Sequence, residues 1–226
     1  MNKVSGHHES VNNEEIRAHQ RAFLEKVKAA TEPKNYNIEG VEIKVNPGVF
    51  PPATDTKILA AHIKTHSGER VLDLTTGAGT FSVIAGLQGA SGIAVDINPK
   101  AIENAKENFS TYKVGFDAIE SDLFENIPLE QFDQAYANGP FFEGEITEPL
   151  DNAAYGYKKF IKDILSGIRS RLKTGGKLLI VIHASADLEY FEETAHSNNL
   201  SVHLIESRKS NDGQRTYNLY EVRASS

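Results

Sequence analysis

Apolar residues recur with two different periods along the chain, helical and alternating. From Asn13 the segment NEEIRAHQRAFLEKVKAA sets Ile16, Phe23, Leu24 and Val27 at helical spacing, with Asn12 or Asn13 as the cap, which predicts an amphipathic helix. Residues 1 to 12 carry no periodic apolar signal and read as a loose tail. NIEGVEIKVNPGVF alternates around Gly40 and breaks at Asn46-Pro47-Gly48, predicting a short hairpin, and PPATDTKILAAHI reads as a loop entering a helix. From Val71 the period switches repeatedly between strand and helix: VLDL, a glycine loop and FSVIAGLQ, then GIAVD and PKAIENAKENF, then VGFDAIESD. FDQAYAN, an irregular acidic loop, FIKDILSGIRSRL and KLLIVIHA follow. Alternation of this kind predicts an α/β fold, a mostly parallel sheet covered by helices on both faces. LSVHLIES and TYNLYEVR break that rhythm: they are two alternating strands joined by a polar turn containing Asp212-Gly213, an antiparallel hairpin at the end of the sheet.

Composition narrows the classes of function. At 226 residues and 39% apolar content the chain can bury a sizeable core. Its net charge of −7 lacks the basic footprint of a dedicated nucleic-acid binder, so a nucleic-acid partner is the less expected one. The absence of cysteine removes disulfides, thiolate nucleophiles and cysteine-type zinc or iron–sulfur sites. The longest aliphatic run in the second half, Leu178 to Ile182, is far short of the ~20 residues that span a bilayer, so a soluble, cytoplasmic chain without a membrane partner is expected. None of the eight histidines sits in an HExxH pattern or beside a carboxylate triad, and no metal site is expected. Lys158, Lys159, Lys162, Arg169, Arg171 and Lys173 read as a solvated helix face.

Candidate chemistry gathers at the ends of successive strands. In VLDLTTGAGTFSVIAG an apolar strand closes at Asp73, and Gly77 and Gly79 occupy the turn before a helix, where backbone can approach a ligand and free N–H groups point at it. The dinucleotide pattern GxGxxG is not met, because Ser82 stands three residues after Gly79. Asp96 closes the next strand, placed to accept hydrogen bonds from both hydroxyls of a ribose or to cap the helix that holds Pro99. Asp122 follows the third strand, either facing an adenine amino group or solvated in a loop.

These residues resemble the class I S-adenosylmethionine-dependent methyltransferases. VLDLTTGAGT is similar to their first motif, GIAVDINPKAIENAKEN to their ribose motif, Ser121-Asp122 to their adenine motif and RLKTGGKLLIVI to a late-strand motif, over residues 45 to 223 or so. The resemblance implies a Rossmann-like three-layer sandwich with a seven-stranded sheet, and S-adenosylmethionine as methyl donor with S-adenosylhomocysteine as product. It implies cofactor contacts from Thr56, Asp73, Thr75, Gly77, Gly79, Asp96, Ile97, Asp122, Leu123 and Asn138. Thr75 stands where the family's loop has a glycine.

Asn138-Gly139-Pro140-Phe141 resembles the NPPY/NPPF motif of amino-methylating enzymes and gives the candidate catalytic residues. A planar amide or exocyclic amine is a poor nucleophile because its lone pair is delocalised. Accepting its two N–H groups on the Asn138 side-chain oxygen and the Gly139 carbonyl aims that lone pair at the methyl carbon, with Phe141 stacked on the plane. Gly139 replaces the motif's first proline, which gives up a fixed φ and predicts a looser loop. GVFPPATDTKILAAHI resembles the VYxPxEDTxLLL stretch of the HemK/PrmC-type glutamine methyltransferases, implying that Thr56 approaches the cofactor's methionine end and Phe50 walls the acceptor pocket. Thr54 or Asp55 as a plain helix cap is the alternative. Tyr155 and Tyr157 are further pocket candidates, Tyr155 being the one assigned to substrate binding, and surface or core packing is the favoured alternative for either.

The expectation is a methyltransferase domain over 46–226, preceded over 1–45 by a tail, a helix and the start of a hairpin. It N-methylates a planar amide or amino group, foremost a protein glutamine. The alternatives are N- or O-methylation of a small molecule, for which Glu143, Glu145, Glu148 and Asp151 offer a cationic substrate a partner, methylation of an RNA base, a non-catalytic cofactor-binding module and a nicotinamide oxidoreductase.

Overall fold

The computed structural model describes residues 9–225. Its centre is a seven-stranded sheet of β3 (Arg70–Asp73), β4 (Ser91–Asp96), β5 (Gly115–Glu120), β6 (Phe132–Asn138), β7 (Leu172–His183), β8 (Leu200–Lys209) and β9 (Thr216–Ala224). They lie in the order β5-β4-β3-β6-β7-β9-β8, with β9 antiparallel to both neighbours and the rest parallel. The chain winds outward from β3 in one direction, then restarts at β6 on the other side. The crevice outside the carboxyl ends of β3 and β6 is therefore a topological switch point, the place where wound sheets bind ligands.

The period of two along each strand separates the faces. Leu179 and Val181 of β7 pack with α2 (Thr54–Ala60), α3 (Thr80–Leu87) and α4 (Pro99–Tyr112) through Ile58, Phe81 and Phe109. Leu178, Ile180 and Ile182 pack with α5 (Tyr157–Arg171) and α6 (Leu188–Ser197) through Ile161, Leu165 and Phe191. Three layers result. Among the described residues no helix is long and apolar enough to cross a membrane.

Two N-terminal features differ from expectation. The first helix, α1 (Glu9–Lys28), already includes Glu9 to Asn12, so neither Asn12 nor Asn13 caps it. Serine and asparagine cost only tenths of a kcal/mol inside a helix, too little to end one. Residues 1–8 of the expected tail lie outside the described residues. The hairpin of β1 (Lys34–Ile38) and β2 (Val41–Val45) turns at Glu39-Gly40, both at positive φ, and is complete by Val45 rather than merely begun there. Asn46-Pro47-Gly48 is a separate bend after it, with Val49 N–H bonded back to the Asn46 carbonyl. Ile38, Ile43 and Val45 join the same core as α2 to α4, and Asn104 and Asn108 of α4 both donate to the Lys44 carbonyl at 2.9 and 2.8 Å. The hairpin is thus fastened to the sheet's covering layer.

Candidate active site

A cavity of about 400 Å³ opens at the switch point. On its β3 side the glycine loop is held from below. Asp73 is fully buried and its Oδ2 accepts the hydroxyls of Thr76 and Ser82, each at 2.8 Å. Burial pushes this carboxyl up to about 6 against those two bonds. Asp73 therefore braces the loop and is not among the residues that line the cavity. Gly79 is likewise not among the lining residues. At φ +84 it starts α3 with its N–H on the Thr76 carbonyl, and a Cβ there would lie 2.6 Å from the Phe109 ring, so it lets α3 approach α4 closely.

Gly77 behaves differently. Its φ is +52, a Cβ would meet nothing within 4 Å, and its N–H donates to Asp96 Oδ2 at 2.9 Å. The second oxygen of Asp96 accepts from Asn98 N–H at 2.9 Å, and Asn98, not Asp96, caps α4 by accepting from Lys100 N–H. Burial raises the Asp96 carboxyl above its ordinary value. Asp96, the exposed Ile97, Asp122 and Leu123 line this side of the cavity. Asp122 also pairs with Lys159 at 2.8 Å. Lys158 and Lys173 of the expected solvated basic face are paired too, with Asp187 and Asp133.

On the β6 side the expected residues also converge. Asn138 ends the strand, and its backbone N–H donates to Thr75 Oγ1 at 2.8 Å, so the threonine that replaces a loop glycine ties the two halves of the cavity together. Its side-chain Nδ2 donates to Asp55 Oδ2 at 3.1 Å and lies 3.5 Å from Thr56 Oγ1. Asp55 and Thr56 occupy the first turn of α2, whose N-cap is Ala53, so neither Thr54 nor Asp55 is a cap. Asn138 Oδ1 and Asp55 Oδ1 are buried and without a hydrogen-bond partner.

Gly139 has a packing role that its replacement of proline does not suggest. A Cβ there would sit 2.3 Å from Phe160 Cζ, because the Phe160 ring of α5 fills the space a larger residue would take. Phe141 lines the cavity at 8% exposure, with its ring 5.8 Å from that of Tyr217 and 6.1 Å from that of His183. Tyr155 lines the cavity, packed over Gly144, whereas Tyr157 is core at 2% exposure with its hydroxyl on the Asp187 carbonyl. Phe50 forms an edge-to-face pair with Phe23 of α1 at 5.3 Å.

Several lining residues carry no warning in the sequence. Gln20 and Phe23 come from α1, and Arg215 and Tyr217 from the β8–β9 hairpin. Both pairs lie far along the chain from the glycine loop and belong to no motif. The acidic loop takes a different role from the one expected. Glu148 and Asp151 each hold Lys28 at 2.8 Å, Glu143 accepts the Lys158 backbone N–H, and none of the four carboxylates lines the cavity. The loop anchors α1 across the cavity mouth, where Leu24 and Val27 pack on Leu150 and Ala154.

The model of the methyltransferase small domain matches residues 40–197. The chain belongs to that family. It is an S-adenosylmethionine-dependent methyltransferase of class I, and the sheet order and terminal hairpin match that assignment. A Methanocaldococcus jannaschii protein provisionally named a protein N5-glutamine methyltransferase is 34% identical over 152 residues, covering 64% of this chain and 77% of its own. A tRNA adenine-N6 methyltransferase of Dyadobacter fermentans is 26% identical over 151 residues, 64% of this chain and 63% of its own. The solved T. thermophilus 16S rRNA guanine-N2 methyltransferase, in complex with AdoMet and guanosine, superposes with a TM-score of 0.63 at 20% identity. It covers 85% of this chain, which spans only 50% of it, and the likeness concerns the fold. Gly77's open face and the Asp96 carboxylate suit the methyltransferase's donor, whose ribose presents vicinal hydroxyls. Among the described residues no three His, Cys, Asp or Glu side chains are placed to hold a metal ion.

Proposed function

We propose that the chain N-methylates a primary amide, foremost the side chain of a protein glutamine. The observation that carries this reading is the Asn138 amide, whose nitrogen is engaged by Asp55 while its buried oxygen has no partner. An oxygen presented in that way suits a hydrogen-bond donor, and with the Gly139 carbonyl beside it the pair suits the two N–H groups of a primary amide better than the single O–H of a hydroxyl. S-adenosylmethionine supplies an electrophilic methyl group on a sulfonium. Asp96 would hold its ribose hydroxyls, Asp122 and Leu123 its adenine, and Thr56, Thr75 and Gly77 the remainder. Asn138 Oδ1 and the Gly139 carbonyl accept the two N–H groups of the acceptor, fixing its plane between Phe141, Tyr155 and Phe50 so that the nitrogen lone pair lies along the path of displacement. The nitrogen sheds a proton after transfer, so no strong base is required. The name of the Methanocaldococcus relative supports glutamine.

Exocyclic amines of RNA bases offer the same two N–H donors, and the Dyadobacter relative favours this as the second reading. A cationic small molecule loses its main argument, since Glu148 and Asp151 hold Lys28 and none of the loop's four carboxylates lines the cavity.

The test is transfer of a tritiated methyl group from S-adenosylmethionine to a panel of glutamine-containing peptides and, in parallel, to transfer and ribosomal RNA. Label on peptide that acid hydrolysis frees as methylamine supports the amide. Label recovered on nucleosides after nuclease digestion overturns it for the second reading, and label on neither removes both.

A further inference from the structure

We propose that Asp55 is a positioning residue for methyl transfer, whose carboxylate dictates which end of the Asn138 amide faces the acceptor. The inference rests on the reading of Asn138 given above. An asparagine amide is nearly symmetric in shape and opposite in polarity at its two ends. Inverted, it would set two N–H donors against the N–H donors of a primary amide and repel the acceptor.

The contacts around Asn138 differ in what they can discriminate. Thr75 Oγ1 receives the backbone N–H, which fixes the strand end and says nothing about the side chain. Thr56 Oγ1 lies at 3.5 Å, the limit of a hydrogen bond, already accepts from Ala53 N–H, and as a hydroxyl would serve either end of the amide. Asp55 Oδ2, at 3.1 Å, belongs to a carboxylate that accepts only, so it pairs with Nδ2 and leaves Oδ1 for the acceptor. The side chain is 7% exposed with Oδ1 unpartnered, which works against an acid, while its place in the first turn of α2 works for one. Burial raises the Asp55 carboxyl, and the Asn138 bond, the backbone N–H groups of Thr56 and Asp55 and the charge of Arg215 oppose that rise.

The experiment uses the full chain with and without S-adenosylhomocysteine. The side-chain amide resonances of Asn138 are assigned by their loss in Asn138→Ala and followed in Asp55→Asn, a change that keeps shape and removes the fixed polarity. The expected result is one Nδ2 proton shifted downfield in the wild type, a shift lost in Asp55→Asn, with S-adenosylhomocysteine affinity and melting temperature retained. On a peptide that accepts label, kcat falls about 100-fold at unchanged KM. Asp55→Asn combined with Asn138→Asp supplies a second check. A carboxylate at 138 has no wrong end, and the amide at 55 can now donate to it, so kcat recovers part of the loss. An Asn138 resonance unmoved by Asp55→Asn, or a loss confined to KM, overturns the proposal, as does a double variant no faster than Asp55→Asn. A wild-type chain that binds no S-adenosylhomocysteine overturns the reading of the site itself, and the amide resonance still decides the orientation separately.

Discussion

The donor and acceptor halves of the cavity are built on different plans. Apart from Thr56, the donor half comes from one stretch of chain, residues 74 to 123, and its main contacts join carboxylates to backbone N–H groups: Gly77 and Asn98 both bind Asp96. The acceptor half collects Gln20, Phe50, Asn138, Tyr155 and Arg215 from five separated segments, and its defining contact, Asp55 with Asn138, joins two side chains. Backbone contacts at strand ends follow from the winding of the sheet and survive most substitutions. Side-chain contacts between distant segments do not. A fold of this kind can keep its donor while its acceptor changes, and the relatives, named for glutamine and for adenine, differ in that half of the reaction.

The comparison breaks most readily at Asp96. Hydrogen bonds to a charged group contribute about 1.5–3 kcal/mol each, so Asp96→Ala is expected to abolish calorimetric binding of S-adenosylhomocysteine, with the far-ultraviolet dichroism unchanged. Retained affinity would mean that the donor half is not organised around this carboxylate. Gly139→Ala is the next test. Its Cβ meets the Phe160 ring, so urea unfolding should show a loss of about 1–3 kcal/mol, largely removed in a Phe160→Ala background. An additive pair would show that the two do not share the space. Lys28→Met should lower stability by about 1 kcal/mol and slow methyl transfer while S-adenosylhomocysteine affinity stays constant, since the anchor it breaks belongs to the acceptor half alone.

The smallest effect is the pH dependence of that anchor. Burial would raise the Asp151 carboxyl, but Lys28 and the Thr147 N–H and hydroxyl outweigh it and hold it at about 2, below the ordinary 3.8. The folded chain thus binds this proton less tightly than the unfolded one. The contribution is complete above the unfolded value and is lost as pH falls through the folded one. The melting difference between wild type and Lys28→Met should therefore be full at about pH 6 and shrink below about pH 4.

What was legible in the sequence follows the same division. The switch of period at Val71 predicts the wound sheet, and glycines and acids just past apolar runs mark Gly77, Asp96 and Asn138, because strand ends are local features. Asp73 and Gly79 carry the same signal and serve the loop from behind, since a motif names positions and not the face they turn to the ligand. The Asp96 cap failed because Asn98, two residues on, competes for the same helix end. Gly139 reads as a departure until Phe160, 21 positions later and on another element, is seen to fill its space. Arg215 and Tyr217 had no signal at all, being a polar turn residue and one position in an ordinary alternating strand.

The place of β9 bears on how each molecule comes into being. It is made after β8 yet lies between β7 and β8, pairing Leu178 with Val222 on one side and Val202 with Val222 on the other. Before it emerges from the ribosome, the chain can assemble five parallel strands, with β7 as a bare edge and β8 lacking its neighbour in the sheet. Arg215 and Tyr217 arrive with that last strand. Synthesis therefore completes the donor half first, and the acceptor pocket receives its final wall only when the sheet closes.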